Sequence, residues 1–384
     1  MAGCDARFFS CLGRPRERIL ANHVSRGTVL FYGGKMAKDY IWRLSDLKNV
    51  PKNGYKVFTT FSCGGGSSMG YKLAGYEVVG NCEIDPKINA MYVKNHHPKY
   101  NFLMGVQDFY KQDNIPDELF DIDVLDGSPP CSTFSMAGSR EAAWGKEKKF
   151  REGQAKQVLS DLFFEFIQVA KLLHPKVVVA ENVKGMVSGN ARGYVNLIRK
   201  SFDEIGYDVQ IFLLNSATMG VPQRRERVFF VCRRRDLSMP MIQLGFNGKP
   251  ILYRDFADTE YIPFNKNTMM AARWNRRIPS DKNMADTVYR TEKGKVSGFN
   301  QAYIKMNEVS ATLTAGSRPL RFDKPGFITD RDVCIISTFP VDYDFLDNDA
   351  QYVCGMSVPP FMMKGVAAAV RDQLLPYAKV KKDE

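Results

Sequence analysis

Residues 55–83, YKVFTTFSCGGGSSMGYKLAGYEVVGNCE, are the stretch that decides the fold. Residues 57–61 are rich in β-branched and aromatic side chains, which predicts a buried strand, and residues 77–81 predict a second one. The glycine-rich turn between them lets backbone N–H groups approach a ligand at the start of a helix. Glu83, after the second strand, can accept hydrogen bonds from both hydroxyls of a ribose. This order of strand, glycine turn, helix, strand and acid predicts a site for a nucleoside-containing cofactor.

The alternation of short β-rich runs with helical ones continues to about residue 232, which is typical of a parallel sheet with crossover helices. Apolar residues recur at helical spacing over residues 157–173, and residues 366–375 also predict a helix. Further predicted strands lie at residues 121–125, 177–180, 209–213 and 228–231. The sequence therefore predicts an α/β fold.

The chain has 384 residues, which exceeds the size at which one compact core keeps growing, so we expect a large domain with a smaller one attached. After Cys232 the regularity stops, and residues 236–306 carry four prolines among basic and aromatic residues without a helix or strand period. We expect a basic N-terminal extension (1–54), a catalytic cofactor-binding domain (55–235), a second domain (236–330) and a return segment packing on the catalytic domain (331–384).

Lysine and arginine total 54 against 42 acidic residues, and the net charge of +12 favours an anionic partner such as nucleic acid. The eight cysteines are scattered without a C-x-x-C pair, so the sequence indicates no metal site and no disulfide framework. No stretch approaches the roughly 18 uninterrupted apolar residues of a membrane span, and Asp5 and Arg7 lie where a secretory signal needs an apolar core. We expect a protein of the reducing cell interior with no membrane partner.

A second motif, DGSPPCS at residues 126–132, follows a predicted strand. Its two prolines restrict the backbone and present the thiol of Cys131 at the edge where ligands bind in open α/β sheets. A single cysteine is most often an inert apolar side chain. Here, however, the next predicted strand ends in Glu181, and Arg225 and Arg227 precede another strand. A thiol, a carboxylate and two arginines thus converge on the cofactor edge.

With these motifs the sequence resembles the cytosine-C5 methyltransferases that use S-adenosylmethionine. The resemblance runs from about residue 55 to residue 375 and omits the irregular region. Its motifs are PC at 130–131, LFFE at 162–165, PKVV at 175–178, ENV at 181–183, QRRER at 223–227, SATLT at 310–314, FP at 339–340 and GMSV at 355–358. The resemblance implies a Rossmann-like methyltransferase fold with a mixed, mostly parallel sheet, and a smaller irregular target-recognition domain at 236–330.

The resemblance also implies a set of cofactor-binding residues. These are Phe61, Gly64, Gly65, Gly66, Ser67, Ser68, Glu83, Ile84, Asp108, Phe109, Ser128, Pro130, Leu162, Met356, Ser357 and Val358. Two positions depart from the family pattern: Cys63 stands where the family has its first glycine, and Met356 where it has an asparagine. For Asp108, a bond to the adenine amino group and an ordinary solvated acid both remain open.

The same resemblance assigns Cys131, Glu181, Arg225 and Arg227 to catalysis. Carbon C5 of cytosine is too electron-poor to attack a sulfonium methyl group, so a thiolate must first add at C6. Glu181 would hold or donate a proton at N3. Arg227 would contact O2 and, together with Arg225, a neighbouring phosphate.

A base inside a duplex must rotate out of the helix before such chemistry. The polar, basic stretch after Cys131 matches the family's closing loop, although a solvated loop would look similar. In the irregular region, guanidinium groups beside Trp274 suit base edges and phosphates, although a basic surface turn is the alternative. The expected DNA contacts are Ser135, Arg140, Arg273, Arg276 and Arg277.

Three alternatives compete with DNA cytosine-C5 methylation. An amino-methyltransferase needs an Asp/Asn-Pro-Pro-aromatic element and no thiol, and a non-catalytic relative does not need Cys131, Glu181 and Arg227 together. The tRNA-methylating branch of the family carries a Cys-Phe-Thr element that this sequence lacks. We expect a cytoplasmic microbial or phage enzyme that acts on double-stranded DNA as a monomer, and any paired restriction endonuclease is not physically required.

Overall fold

The computed structural model describes residues 39–130, 147–148, 157–158, 162–187, 192–294, 298 and 300–379, so Cys131, Ser135 and Arg140 lie outside the described residues. Its centre is a seven-stranded sheet. The strands are β1 Lys56–Thr60, β2 Glu77–Glu83, β3 Tyr100–Leu103, β4 Val124–Gly127, β5 Val177–Val183, β6 Tyr207–Asn215 and β7 Glu226–Arg234. The spatial order is β3-β2-β1-β4-β5-β7-β6, and β7 is antiparallel to both neighbours while the other pairs are parallel. The predicted mixed, mostly parallel sheet is confirmed.

Helices cover both faces of the sheet. They are α1 Gly66–Leu73, α2 Pro86–His96, α3 Val106–Phe109, α4 Leu162–Leu173, α5 Arg192–Glu204, α6 Met269–Trp274, α7 Met284–Thr291, α8 Asp330–Ile336, α9 Ala350–Met356 and α10 Pro360–Gln373. On one face α3, α4 and α5 bury a core around Phe58 and Phe166. On the other face α1 and α10 pack together around Tyr71 and Val366. The predicted return of the C-terminal segment onto the sheet accounts for this second layer.

A third core joins α2, α8 and α9. Trp42 is buried in it, and its indole Nε1 donates a hydrogen bond of 2.8 Å to the Thr338 carbonyl. This part of the expected N-terminal extension therefore packs against the folded chain. The stretch Ala350–Tyr377 is apolar and long enough to cross a membrane by composition, but 67% of its most apolar window is buried inside the protein, as in a core helix.

Two predicted elements differ from the observed ones. The helix predicted at 157–173 begins at Leu162, because Gln157–Val158 is extended and pairs with Glu147–Lys148. The strand predicted at 121–125 begins at Val124, since a 3₁₀ turn occupies Asp117–Asp121. Both errors arise where pairing or turn geometry overrides the local apolar pattern.

The irregular region contains a small core of its own around Trp274, Val288 and Leu320. Short strands at Ile262–Pro263, Tyr303–Ile304, Leu320–Arg321 and Gly326–Phe327 form a four-stranded sheet beside α6 and α7. Asn283 caps α7 by accepting from the Asp286 N–H. The region is joined to the catalytic side by a short parallel ladder between Gln223–Arg224 and Ser310–Ala311.

Candidate active site

The carboxyl ends of β1, β2 and β4 border a cavity of about 870 Å³, part of it open to solvent. Of the predicted cofactor residues, those that line the cavity are Phe61, Glu83, Ile84, Ser128, Pro130, Leu162 and Met356. Leu162 is the first residue of α4, and Met356 is the last residue of α9. The cavity thus lies where ligands bind in open α/β sheets.

Glu83 is fixed by backbone N–H groups. One carboxylate oxygen accepts from Cys63 at 2.8 Å, and the other accepts from Ile84 and Asp85 at 3.0 Å each. Burial raises the pKa of the Glu83 carboxyl, and the hydrogen bonds from Asp85 and Cys63 oppose that shift. A carboxylate has about four acceptor positions, so capacity remains for a ribose hydroxyl.

The glycine turn is closely packed against neighbouring parts of the chain. Gly65 has φ +71°, and a Cβ atom there would lie 2.1 Å from Nε2 of His96. A Cβ atom on Gly66 would lie 2.0 Å from the Val358 carbonyl oxygen, and one on Gly64 would lie 2.4 Å from Val353. None of the three glycines is among the described lining residues. Glycine is therefore required at these positions by close packing of the turn.

Six other predicted cofactor residues are not among the described lining residues of the cavity, and their contacts with the cofactor remain predictions. Ser68 shares a hydrogen bond with Tyr92 at 2.8 Å, and Ser67 bonds to Asp126. Phe109 is a core residue that stacks on Phe58 with 5.1 Å between ring centroids. The remaining three are Asp108, which is exposed on α3, Ser357, whose hydroxyl lies 3.7 Å from the Cys63 sulfur, and Val358, which is buried in the α1–α10 core.

Sequence reasoning missed part of the lining. The missed residues are Cys82, Asp85, Ile88, Met104, Gly105, Val106, Gln107 and Tyr352, together with Cys63, which was noted only as a departure. Asp85 had a usable signal, because Asp85-Pro86 directly after the Glu83 strand is a helix-capping pattern and Asp85 does cap α2. Residues 104–107 follow β3, which the sequence analysis did not delimit. The apolar side chains beside a buried carboxylate suit an adenosine group.

A carboxylate–arginine pair lies at the ends of adjacent strands. Arg227 Nε on β7 donates to Glu181 on β5 at 2.9 Å, and both side chains are nearly buried. Burial lowers the pKa of the Arg227 guanidinium, while Glu181 acts in the opposite sense. Asn182 Nδ2 donates to the Pro129 carbonyl at 2.9 Å and so holds the segment that leads to Cys131. Cys131 itself lies outside the described residues.

The phosphate contact expected of Arg225 is corrected. Arg225 is 2% exposed, and one guanidinium nitrogen donates to the carbonyls of Leu313 at 3.1 Å and Gly355 at 3.0 Å. Burial, with the nearby charge of Arg227, lowers the pKa of Arg225 to about 9. Its partners are backbone groups of the protein, so it does not face the solvent where DNA would lie.

Two of the three predicted recognition arginines also have internal partners. Arg273 is buried and pairs with Glu292 through two hydrogen bonds, of 2.7 and 3.1 Å. Arg277 lies 3.2 Å from the Trp274 ring centroid and donates to the Phe322 carbonyl at 2.7 Å. Arg276 is exposed. Ser135 and Arg140 lie outside the described part of the chain.

A second, polar cavity of about 1,190 Å³ lies where the irregular region meets the Gln223–Arg224 ladder. We call it the basic cleft. Its lining is Arg224, Pro279, Ser280, Lys282, Asn283, Asn300, Ala302, Tyr303, Lys305, Glu308 and Ala311. The lining has three cationic side chains, one acidic side chain and two amides, which are Arg224, Lys282, Lys305, Glu308, Asn283 and Asn300. This composition suits an anionic polymer whose bases offer hydrogen-bonding edges. None of these cleft residues was among the DNA contacts predicted from the sequence.

The strand order, the nucleoside-sized cavity and the adjoining carboxylate–arginine pair define a Rossmann-like methyltransferase. The family model of C-5 cytosine-specific DNA methylases matches residues 55–372. Because this match covers most of the chain, the protein belongs to that family.

Relatives agree with this assignment. The type II methyltransferase M.NgoPII of Neisseria gonorrhoeae is 29% identical over 360 residues, covering 84% of this chain and 97% of the relative. M.FnuDI of Fusobacterium nucleatum is 27% identical, covering 85% and 97%. Among solved structures, a protein assigned as a prophage-encoded DNA modification methyltransferase (E. coli) has a TM-score of 0.61 at 18% identity, covering 83% of this chain and 99% of its own. Spodoptera frugiperda DNMT2 has a TM-score of 0.57 at 18% identity, covering 82% and 98%. These two show the same fold.

The protein is a DNA (cytosine-5-)-methyltransferase, and its cofactor is S-adenosylmethionine. The predictions of family, fold, reaction and cofactor are confirmed. The lining fits this cofactor, since Glu83 offers a carboxylate to the ribose and Ile84, Ile88 and Val106 offer apolar surface to the base. The individual residues of the reaction remain predictions.

Proposed function

We propose that Cys131 adds to C6 of a cytosine rotated out of duplex DNA and that Glu181 and Arg227 hold the base during methylation. The observation that carries the proposal is the 2.9 Å pair between Arg227 and Glu181, beside a Pro129 carbonyl held by Asn182. Pro130, the residue before Cys131, lines the cofactor cavity. This position of Pro130 supports a role for the next residue, Cys131, beside the methyl donor.

The proposed reaction begins when the thiolate forms a bond to C6 and the ring electrons move to C5 and N3. Glu181 holds a proton at N3 of the ring. Arg227 orients that carboxyl and donates a hydrogen bond from its guanidinium to the cytosine O2. When bound, S-adenosylmethionine supplies the methyl group that C5 takes. Loss of the C5 proton and elimination of the thiolate then restore the ring.

We further propose that residues 236–330 select the DNA sequence and that the chain acts as a monomer. The basic cleft supports this assignment, because it joins the recognition region to the QRRER segment that contains Arg227. The cell interior, in a bacterium or a phage-infected cell, is the proposed location. The domain limits 1–54, 55–235 and 331–384 complete this proposal.

The covalent step is tested with pooled duplexes that carry 5-fluorocytosine, since fluorine at C5 prevents the proton loss that releases the enzyme. With S-adenosylmethionine, wild-type protein is expected to give a band of higher mass on a denaturing gel. Cys131→Ala protein is expected to give none, whereas Cys334→Ala, which changes a buried core thiol, keeps the band. An adduct with the Cys131→Ala variant would refute the assignment.

A further inference from the structure

Arg225 connects two segments that are far apart in the sequence. Its guanidinium donates both to Leu313, in the SATLT segment, and to Gly355, in α9. The side chain is 2% exposed, and Nε has no hydrogen-bond partner among the described residues. Burying a cation costs free energy unless hydrogen bonds offset that cost. A buried arginine with an unpaired Nε therefore does not explain its position by stability alone.

A second contact ties the same two segments. Gln351 Nε2, on α9, donates to the Thr314 carbonyl at 2.6 Å. Gly355 packs so closely on this segment that a Cβ atom there would lie 2.4 Å from the Thr314 carbonyl carbon. Helix α9 is therefore held against residues 313–314 at two points, Arg225 and Gln351, which we call the α9 link.

Each end of the α9 link borders one of the two cavities. On the cofactor side, Tyr352 and Met356, one helical turn apart on α9, line the cofactor cavity. On the other side, Ala311 and Arg224 line the basic cleft, and Thr312 donates to the Arg224 carbonyl at 2.5 Å. The α9 link therefore connects the wall of the cofactor cavity to the wall of the basic cleft through hydrogen bonds to backbone carbonyls.

We propose that Arg225 is a positioning residue that couples occupancy of the cofactor cavity to the binding of DNA in the basic cleft. The coupling rests on the proposed role of the cleft. It does not require Arg225 to touch DNA or cofactor. Because coupling between two binding sites is reciprocal, cofactor product must tighten DNA by the same factor by which DNA tightens cofactor product.

The test measures binding of a fluorescent duplex by anisotropy, with and without saturating S-adenosylhomocysteine. The duplex carries the enzyme's own site, identified beforehand by bisulfite sequencing of methylated plasmid. For wild-type protein we expect the product to tighten the duplex at least about fivefold. The lysine side chain is one bond shorter than arginine, so the ammonium of Arg225→Lys should not reach the position of the guanidinium nitrogen that donates to both carbonyls, and the coupling should fall below about twofold.

Arg233→Lys is the matched control, because Arg233 lies on the same strand, β7, and also donates to a backbone carbonyl, that of Met239. It should keep wild-type coupling. Gln351→Met is the second variant; it removes the other contact with a side chain of similar size and should lower the coupling partially. If Arg225→Lys fails to fold, by its thermal transition, Gln351→Met decides the question.

Unchanged coupling in a folded Arg225→Lys protein, or in Gln351→Met when the former does not fold, would overturn the proposal, and so would absence of coupling in wild-type protein. Formation of the 5-fluorocytosine adduct is scored separately in every variant. A wild-type protein that couples without forming the adduct would refute the covalent mechanism and leave the α9 link standing.

Discussion

Glu83 is the residue whose role the sequence and the structure define most closely, since it ends β2 and accepts three backbone N–H groups at the cavity. Glu83→Ala removes the ribose acceptor and should weaken S-adenosylmethionine binding by about 1.5–3 kcal/mol, the usual worth of hydrogen bonds to a charged group. Calorimetry measures this. Glu77→Ala, at the exposed start of the same strand, is the control and should bind as wild type does.

Asp126 gives the fold an unusual pH dependence. Burial, with the charge of Glu181, raises its pKa to about 7, although Thr59 donates to it at 3.1 Å. An unfolded aspartate titrates near pH 3.9. Between about pH 4 and pH 7 the folded state therefore keeps a proton that the unfolded state has lost, and the free energy of unfolding falls as the pH rises through this window.

Asp126→Asn cannot ionise and should escape that loss. The variant should gain stability relative to wild type between pH 4.5 and pH 8, by about 1–4 kcal/mol. Urea unfolding at both pH values measures the difference. Asp123→Asn, just before the same strand, loses the ion pair with Lys176 and should be destabilised at pH 8. A stability difference between Asp126→Asn and wild type that is the same at both pH values would contradict the assignment.

Individual residues were predictable where a motif places them at a strand end. Glu83 and Pro130 line the cavity as expected, because each follows a strand of the parallel sheet. Tyr352 was not predictable, since it reaches the cavity only through packing of a distant helix. The packing of His96 against Gly65 was not predictable either, because nothing in the local sequence shows that this side chain lies there.

At the scale of elements, strands were predictable where the apolar run is continuous. Strand β5 contains VVVA and is buried along most of its length. Strand β3 could not be delimited from the sequence because it has only four residues, alternately half-buried and exposed. The start of α4 was misplaced because Gln157–Val158 is extended and pairs with Glu147–Lys148. Local propensity does not register pairing of that kind.

Helix α6 carries a prediction that separates folding from recognition. Arg273→Ala breaks a nearly buried pair with Glu292 and should lower the free energy of unfolding by about 2–4 kcal/mol without changing the methylated motif. Arg276→Ala changes an exposed side chain and should leave stability within about 0.5 kcal/mol of wild type. Urea unfolding and bisulfite sequencing are both required. A relaxed motif in Arg273→Ala protein of normal stability would restore the original recognition hypothesis.

At the scale of the whole molecule, the loss of periodicity after Cys232 predicts a regular catalytic part and an irregular second part, and this division stays a prediction. The basic cleft was not predictable, because its lining comes from residue 224, from 279–283 and from 300–311. A net charge of +12 indicates an anionic partner, but it does not show where on the surface the positive charge is concentrated. Only the fold brings these segments together.

Lys282 and Asn300 are both exposed in the cleft. We expect the first to contact phosphate and the second to contact a base edge. A lysine acts as a point charge toward phosphate, so Lys282→Ala should weaken all duplexes alike and reduce the slope of log binding constant against log salt by about 1. An asparagine can bond two positions of an adenine edge, so Asn300→Ala should cost about 1–3 kcal/mol and relax preference at one base pair. Anisotropy across a salt series and bisulfite sequencing of a randomised duplex library measure the two effects.

Lys171→Ala, on α4 outside the cleft, is the charge-matched control and should change neither the salt slope nor the base preference. If both cleft variants keep the wild-type salt slope and motif, DNA does not enter the cleft, and the basic residues of the N-terminal fifty become the place to test next.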